Sequence, residues 1–76
     1  MNWHEHISLN PEVMVGKPVI KGTRITVELI LEKLGNGWTE EQLLESYPHL
    51  SVNSIKACLL YAADLVKNEI IHDIAA

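Results

Sequence analysis

Asn53, Ser54, Lys56 and Ala57 are the residues of this 76-residue chain best suited to reading a nucleic-acid surface. An Asn side chain pairs bidentately with adenine, Ser bonds several base edges, and Lys takes guanine or phosphate. A small Ala allows close approach and can touch a thymine methyl. No acid interrupts the stretch from Pro48 to Ala63, so nothing in it repels phosphate. A second group of cations, Lys17, Lys21 and Arg24, falls in the acid-free run between Glu12 and Glu28. Doubled in a dimer, that group supplies about six positive charges, enough for several phosphate contacts. Each pattern has a plainer reading. Ser and Asn near a helix start are good cap formers, and lysines at a turn are commonly just solvated.

The elements that must position these residues are legible from caps and stops. Thr39 is a good N-cap, and Gln42 three residues later completes a capping box. Leu43 and Leu44 give that helix its apolar side. Pro48 ends it and pushes Tyr47 out of the α region. Ser51 then caps a longer helix, on which Val52, Ile55, Leu59, Ala62 and Val66 recur at helical steps and read as the inward stripe. That leaves Asn53, Ser54, Lys56 and Ala57 outward. Helix, short turn, helix is the shape of a helix-turn-helix, whose second helix enters the major groove.

Upstream, Thr26 caps a helix from Val27 to Asn36 with Val27, Ile30, Leu31 and Leu34 inward. Gly35-Asn36-Gly37 stops it, and Trp38 is placed as a hydrophobic staple on Leu43. Glu5 to Leu9 reads as a short strand with Trp3, Ile7 and Leu9 inward. Pro18 to Ile20 and Arg24 to Thr26 read as the two arms of a hairpin whose tip is Lys21-Gly22. The expected fold is therefore mostly α: a short N-terminal β arm or hairpin (1–26), then a three-helix, helix-turn-helix-like core (27–63). Residues 64–76 form a C-terminal extension of the same single domain. Ile70, Ile71 and Ile74 make that extension strongly apolar, either as more helix or as a strand folded back, and it reads as a dimer or partner surface.

Composition narrows the function. Apolar residues are 47% of a chain close to the lower size limit for an independent core, so some of them are expected between subunits of a homodimer or against a partner. The net charge of −4 argues against an indiscriminate nucleic-acid binder. No apolar run approaches the roughly 20 residues of a membrane span, and the start, MNWHEHISLN, lacks the basic and apolar regions of a secretory signal. A cytoplasmic location is expected. Cys58 is the single cysteine and reads as a small buried thiol.

His4 and His6 would share a face of a strand, yet no further ligands complete a metal set. His49 reads as a turn residue. Gly16 and Gly22 do not make a phosphate-binding loop, which needs a Gly-Lys-Ser/Thr ending. With no nucleophile–base pair and no paired carboxylates, neither an enzyme, nor a metal, nor a cofactor is expected.

The chain resembles a small prokaryotic family known as domain of unknown function 433 and described as antitoxins of the VapB type. The resemblance rests on Asn10-Pro11 and on the run Gly16-Lys17-Pro18-Val19-Ile20-Lys21-Gly22-Thr23-Arg24-Ile25-Thr26-Val27. It continues through Leu34, Gly37, Thr39-Glu40-Glu41 and Tyr47-Pro48-His49-Leu50, then Ile55, Ala57, Leu60 and Tyr61-Ala62. It covers residues 7 to 63. It implies a helix-turn-helix-like fold and an antitoxin, often beside a gene for a PIN-like ribonuclease toxin.

Two functions follow as expectations. In the first, a homodimeric antitoxin binds its own promoter DNA and also neutralises a PIN-like toxin by direct contact. Asn53, Ser54, Lys56 and Ala57 then read bases in major grooves roughly 34 Å apart, while Lys17, Lys21 and Arg24 hold phosphates. In the second, the chain is a protein-binding module with no DNA affinity. Lys21 and Arg24 then enter the acidic cleft of a nuclease, or the apolar Ile70, Ile71 and Ile74 mask the partner.

Overall fold

Side-chain caps set the start of each helix. Thr26 Oγ1 accepts from Leu29 N at 3.1 Å and opens α1, Val27–Gly35. Thr39 Oγ1 accepts from Gln42 N at 3.1 Å while Gln42 Oε1 accepts from Thr39 N at 2.8 Å, a complete capping box opening α2, Glu40–Ser46. Ser51 Oγ accepts from Ser54 N at 3.1 Å ahead of α3, Val52–Ala75. The structure is a computed structural model that describes the backbone of residues 1–75 and the side chains of residues 1–68. The expected surface of Ile70, Ile71 and Ile74 thus lies outside the described side chains. Their backbone continues α3, so the extension is more helix and not a returning strand.

The stop of α1 is a Schellman motif. Gly37 N donates to Leu34 O at 3.1 Å and Trp38 N to Lys33 O at 3.0 Å. Gly37 takes φ +93°, the left-handed value this end requires. The accompanying side-chain contact is a cation–π pair, with Lys33 Nζ 4.4 Å from the Trp38 ring centre. Trp38 also packs on the core that holds Leu43, as a staple residue does.

The β arm is smaller than the sequence suggests, and its pairing is richer. Trp3–Glu5 forms a 3-10 turn, so β1 shrinks to Ile7–Ser8. It pairs antiparallel with β2, Val19–Ile20, in the register Ile7↔Ile20 and Ser8↔Val19. On its other edge β2 meets the returning chain, with a bridge Val19↔Thr26 and Ile20 N donating to Ile25 O at 2.9 Å. Val19 and Ile20 therefore lie between two partners, and both are buried. Thr23 N donates to Ile20 O at 3.0 Å across the turn, where Gly22 at φ +77° supplies the conformation that Lys21-Gly22 implied. Leu9, read as inward, is exposed, because β1 ends before it. His4 and His6 do not share a strand face: His4 lies in the 3-10 turn, stacked on Trp3.

One core joins all of these elements. Ile7, Ile20, Val27, Ile30, Leu43, Leu50, Ile55, Ala57 and Cys58 are buried together. Trp3 closes it from the N-terminal side, edge-on to Tyr61 with centroids 4.7 Å apart, while its indole N–H donates to Asp64 Oδ2 at 2.6 Å.

One segment departs from easy backbone geometry. Met14, Val15 and Gly16 form a left-handed turn with φ of +48°, +57° and +81°. A β-branched residue is poorly suited to that region, and Val15 is 96% exposed, so packing does not compensate it. Val15→Gly is expected to raise unfolding stability in urea by about 1 kcal/mol through release of that strain. Leu43→Ala, which empties a site of 0% exposure, is expected to lower stability by about 3 kcal/mol.

Candidate functional site

α3 shows its neighbours a face of small residues. Ser54, Ile55, Ala57 and Cys58 are buried, with Tyr61 and Ala62 half-buried behind them. Small side chains let a helix axis come close to what it packs on, and here that is α1, α2, β1 and the 3-10 turn of Trp3. Ser54 is only 6% exposed, and its hydroxyl is 3.0 Å from the Ser51 hydroxyl within the cap. Ala57 is 0% exposed. Neither can reach a base edge, so two of the four residues expected to read DNA belong to the core.

The buried face of α3 is not the one that large apolar residues mark. Val52, Leu59 and Val66, read as inward, are exposed instead, Leu59 by 48% and Val66 by 52%. The inward side is turned toward the small residues because close approach, not side-chain size, decides it. Cysteine was the available signal: it is among the most buried residue types, and Cys58 points to the correct side.

Asn53 and Lys56 are exposed as expected. Their surroundings are less favourable to phosphate than the sequence implied. The exposed surface of α2 carries Glu40, Glu41 and Glu45, where the first helix of a helix-turn-helix crosses the DNA backbone. Lys17 is committed to an ion pair with Glu28 at 3.0 Å. Lys21 and Arg24 sit exposed on the turn after β2, and among the described residues neither makes an ion pair.

A different feature stands out beside α3. Between α1 and α3 runs an open groove of about 360 Å³. Pro18 and Val27 line it on one side with Leu31, while Tyr61 and Leu65 supply the α3 wall. The Lys17–Glu28 ion pair marks its polar rim. Leu65 is 49% exposed there, on the part of α3 that has run past the core. No sequence signal located this groove, since it depends on the angle at which α1 meets α3.

Cys58 is buried and chemically quiet. Loss of water around a thiolate pushes its pKa from 9.0 up to about 11, against a smaller opposing pull from a backbone hydrogen bond. The protonated thiol is neither a nucleophile nor a metal ligand. Among the described residues no group of three His, Cys, Asp or Glu side chains is arranged to hold a metal ion. Nor is any helix long and apolar enough to cross a membrane.

Comparison with known proteins places the chain. The model of the DUF433 family, described as a protein of unknown function, matches residues 7–62. The uncharacterised protein y4eO of Sinorhizobium fredii is 31% identical over 58 residues, covering 76% of this chain and 26% of that protein. The chain thus spans about a quarter of that relative's length. The crystal structure of a DUF433 member protein from Anabaena variabilis matches with a TM-score of 0.73 at 28% identity, covering 92% of this chain and 68% of that one.

The buried thiol gives a stability signature. Well below pH 9 the thiol is protonated in both folded and unfolded chains. Between 9.0 and about 11 the unfolded thiol ionises and the folded one does not, so the contribution of Cys58 to stability falls as pH rises. Urea titrations of the native chain and of Cys58→Ala at several pH values are expected to show the native chain losing more stability across that window.

Proposed function

This chain belongs to the DUF433 family, and we propose that it works as a protein-binding module of the antitoxin kind that its sequence resemblance implies. Its partner in this reading is a PIN-like ribonuclease, an apolar segment of which seats in the groove between α1 and α3. The observation that carries the reading is the groove itself. Pro18, Val27, Leu31, Tyr61 and Leu65 give it a mostly apolar lining between two helices, a shape suited to an apolar segment of a partner. Burying such a lining contributes roughly 25 cal/mol per Å². The Lys17–Glu28 pair at the rim offers one charge of each sign to orient the incoming segment. Lys21 and Arg24, exposed on their turn, supply cations suited to the acidic, metal-binding cleft of a nuclease.

DNA binding is the second reading, and one observation favours it. Asn53 and Lys56 are exposed on a stretch without acids from Pro48 to Ala63. Against it stand the burial of Ser54 and Ala57 and the three glutamates on the surface of α2.

Co-purification with a PIN-like ribonuclease tests the first reading. Leu31→Arg and Leu65→Arg, which place a charge in the groove, are each expected to abolish co-purification while the chain stays folded by circular dichroism. Undiminished capture by both variants contradicts the groove as the contact. A gel shift on the chain's own promoter at two salt concentrations tests the second. No specific complex is expected. A salt-sensitive complex that Lys56→Glu weakens far more than Glu32→Lys would establish the DNA reading instead.

A further inference from the structure

We propose that a hollow beside the Lys21-Gly22 turn binds the free carboxyl terminus of a partner polypeptide that ends in an aliphatic residue. The hollow has a volume of about 390 Å³ and is lined by Ser8, Val13, Val19, Gly22, Thr23 and Arg24. It shares no lining residue with the α1–α3 groove, so this site stands or falls independently of what that groove takes.

Charge sets the sign of the ligand. Arg24 lines the hollow and no acid does. Among the described residues Arg24 makes no ion pair, whereas Lys17 at the other groove is taken up by Glu28. The remaining polar side chains decide which anion fits. Thr23 Oγ1 donates to Ile20 O at 2.8 Å and accepts from Ile25 N at 3.0 Å, so its proton is spent on the turn. Ser8 Oγ accepts from Asn10 N at 3.4 Å and keeps its own proton to donate. A guanidinium fork and one hydroxyl match the two oxygens of a carboxylate. A phosphate group, with three strong acceptor oxygens and up to two charges, is left under-satisfied by that set.

The rest of the lining is apolar. Val19, 2% exposed and held between two strand partners, makes a rigid floor, and the half-buried Val13 makes a wall. An aliphatic side chain laid on the two valines removes apolar surface from water. The shape then selects a chain end. The mouth is open to solvent, and at Gly22 nothing lies within 4 Å of where a side chain would begin. A free small acid binds with most of its surface covered, and this hollow is too shallow for that. The last residue of a polypeptide carries a carboxylate and a side chain on one Cα, while the preceding residues run out over Gly22. Capture of a chain terminus in this way is a recurring mode of peptide recognition.

Backbone-amide NMR shifts of the full chain, titrated with acetyl-Ala-Ala-Val bearing a free carboxylate, test the site. Saturable shifts in the millimolar range are expected at Ser8, Val13, Val19, Gly22 and Thr23. The same peptide as its carboxyl amide is expected to bind at least tenfold more weakly. Arg24→Gln, at an exposed position, is expected to weaken the acid to the same degree with circular dichroism unchanged, and Lys21→Gln far less. No saturable shift at these amides, or equal binding of acid and amide, overturns the proposal. Equal losses from Arg24→Gln and Lys21→Gln mean a diffuse cationic tip and also overturn it. Acetyl-Ala-Glu-Val-amide binding as tightly as the free acid overturns the assignment to a chain end, as does inorganic phosphate shifting the same amides at equal concentration.

Discussion

The close contact of α3 with the rest of the chain governs everything else in this fold. Ser54, Ala57 and Cys58 bring the helix in, and Ile55 and Tyr61 fill the space on either side. Trp3 then locks the N-terminal turn across it by an edge-on contact with Tyr61 and a hydrogen bond to Asp64. A chain this short has little apolar surface to spare for a core. It builds that core on the first three turns of one helix and lets the same helix continue beyond it. What is left outside is then set by geometry: a groove on one side of α3 and the exposed Val52, Lys56, Leu59 and Val66 on the other.

That arrangement bears on function through charge. The face of α3 that a helix-turn-helix needs for bases is partly spent on packing, and the helix before it presents glutamates. Lys17 is paired, which removes one cation from the block that seemed suited to phosphates. The α1–α3 groove is the mostly apolar surface that remains, with the Lys17–Glu28 pair at its rim. The domain spans about a quarter of one relative that it matches.

Local chemistry was legible in the sequence, and tertiary geometry was not. Thr26, Thr39 with Gln42, and Ser51 each announce a helix start because a cap is a bond between near neighbours. Gly22 and Gly37 announce turns for the same reason. The face of α3 could not be read from apolar spacing, since two stripes compete on it. One carries the large Val52, Leu59 and Val66, and the other the small Ser54, Ala57 and Cys58. Size favoured the first, while the need for close approach selected the second. The left-handed turn at Met14 and Val15 had no local signal, because neither residue type favours it. The groove depends on an interhelical angle that no single segment encodes.

The proposed function places a partner protein in the groove beside α3 and no DNA on its outer face. Hydrogen–deuterium exchange along α3 is the most direct measurement of that assignment. Amides around Tyr61 and Leu65 should slow their exchange when a PIN-like ribonuclease is added, with promoter DNA adding nothing. Exchange that ignores the ribonuclease, and slows at Asn53 and Lys56 only when promoter DNA is present, would contradict it.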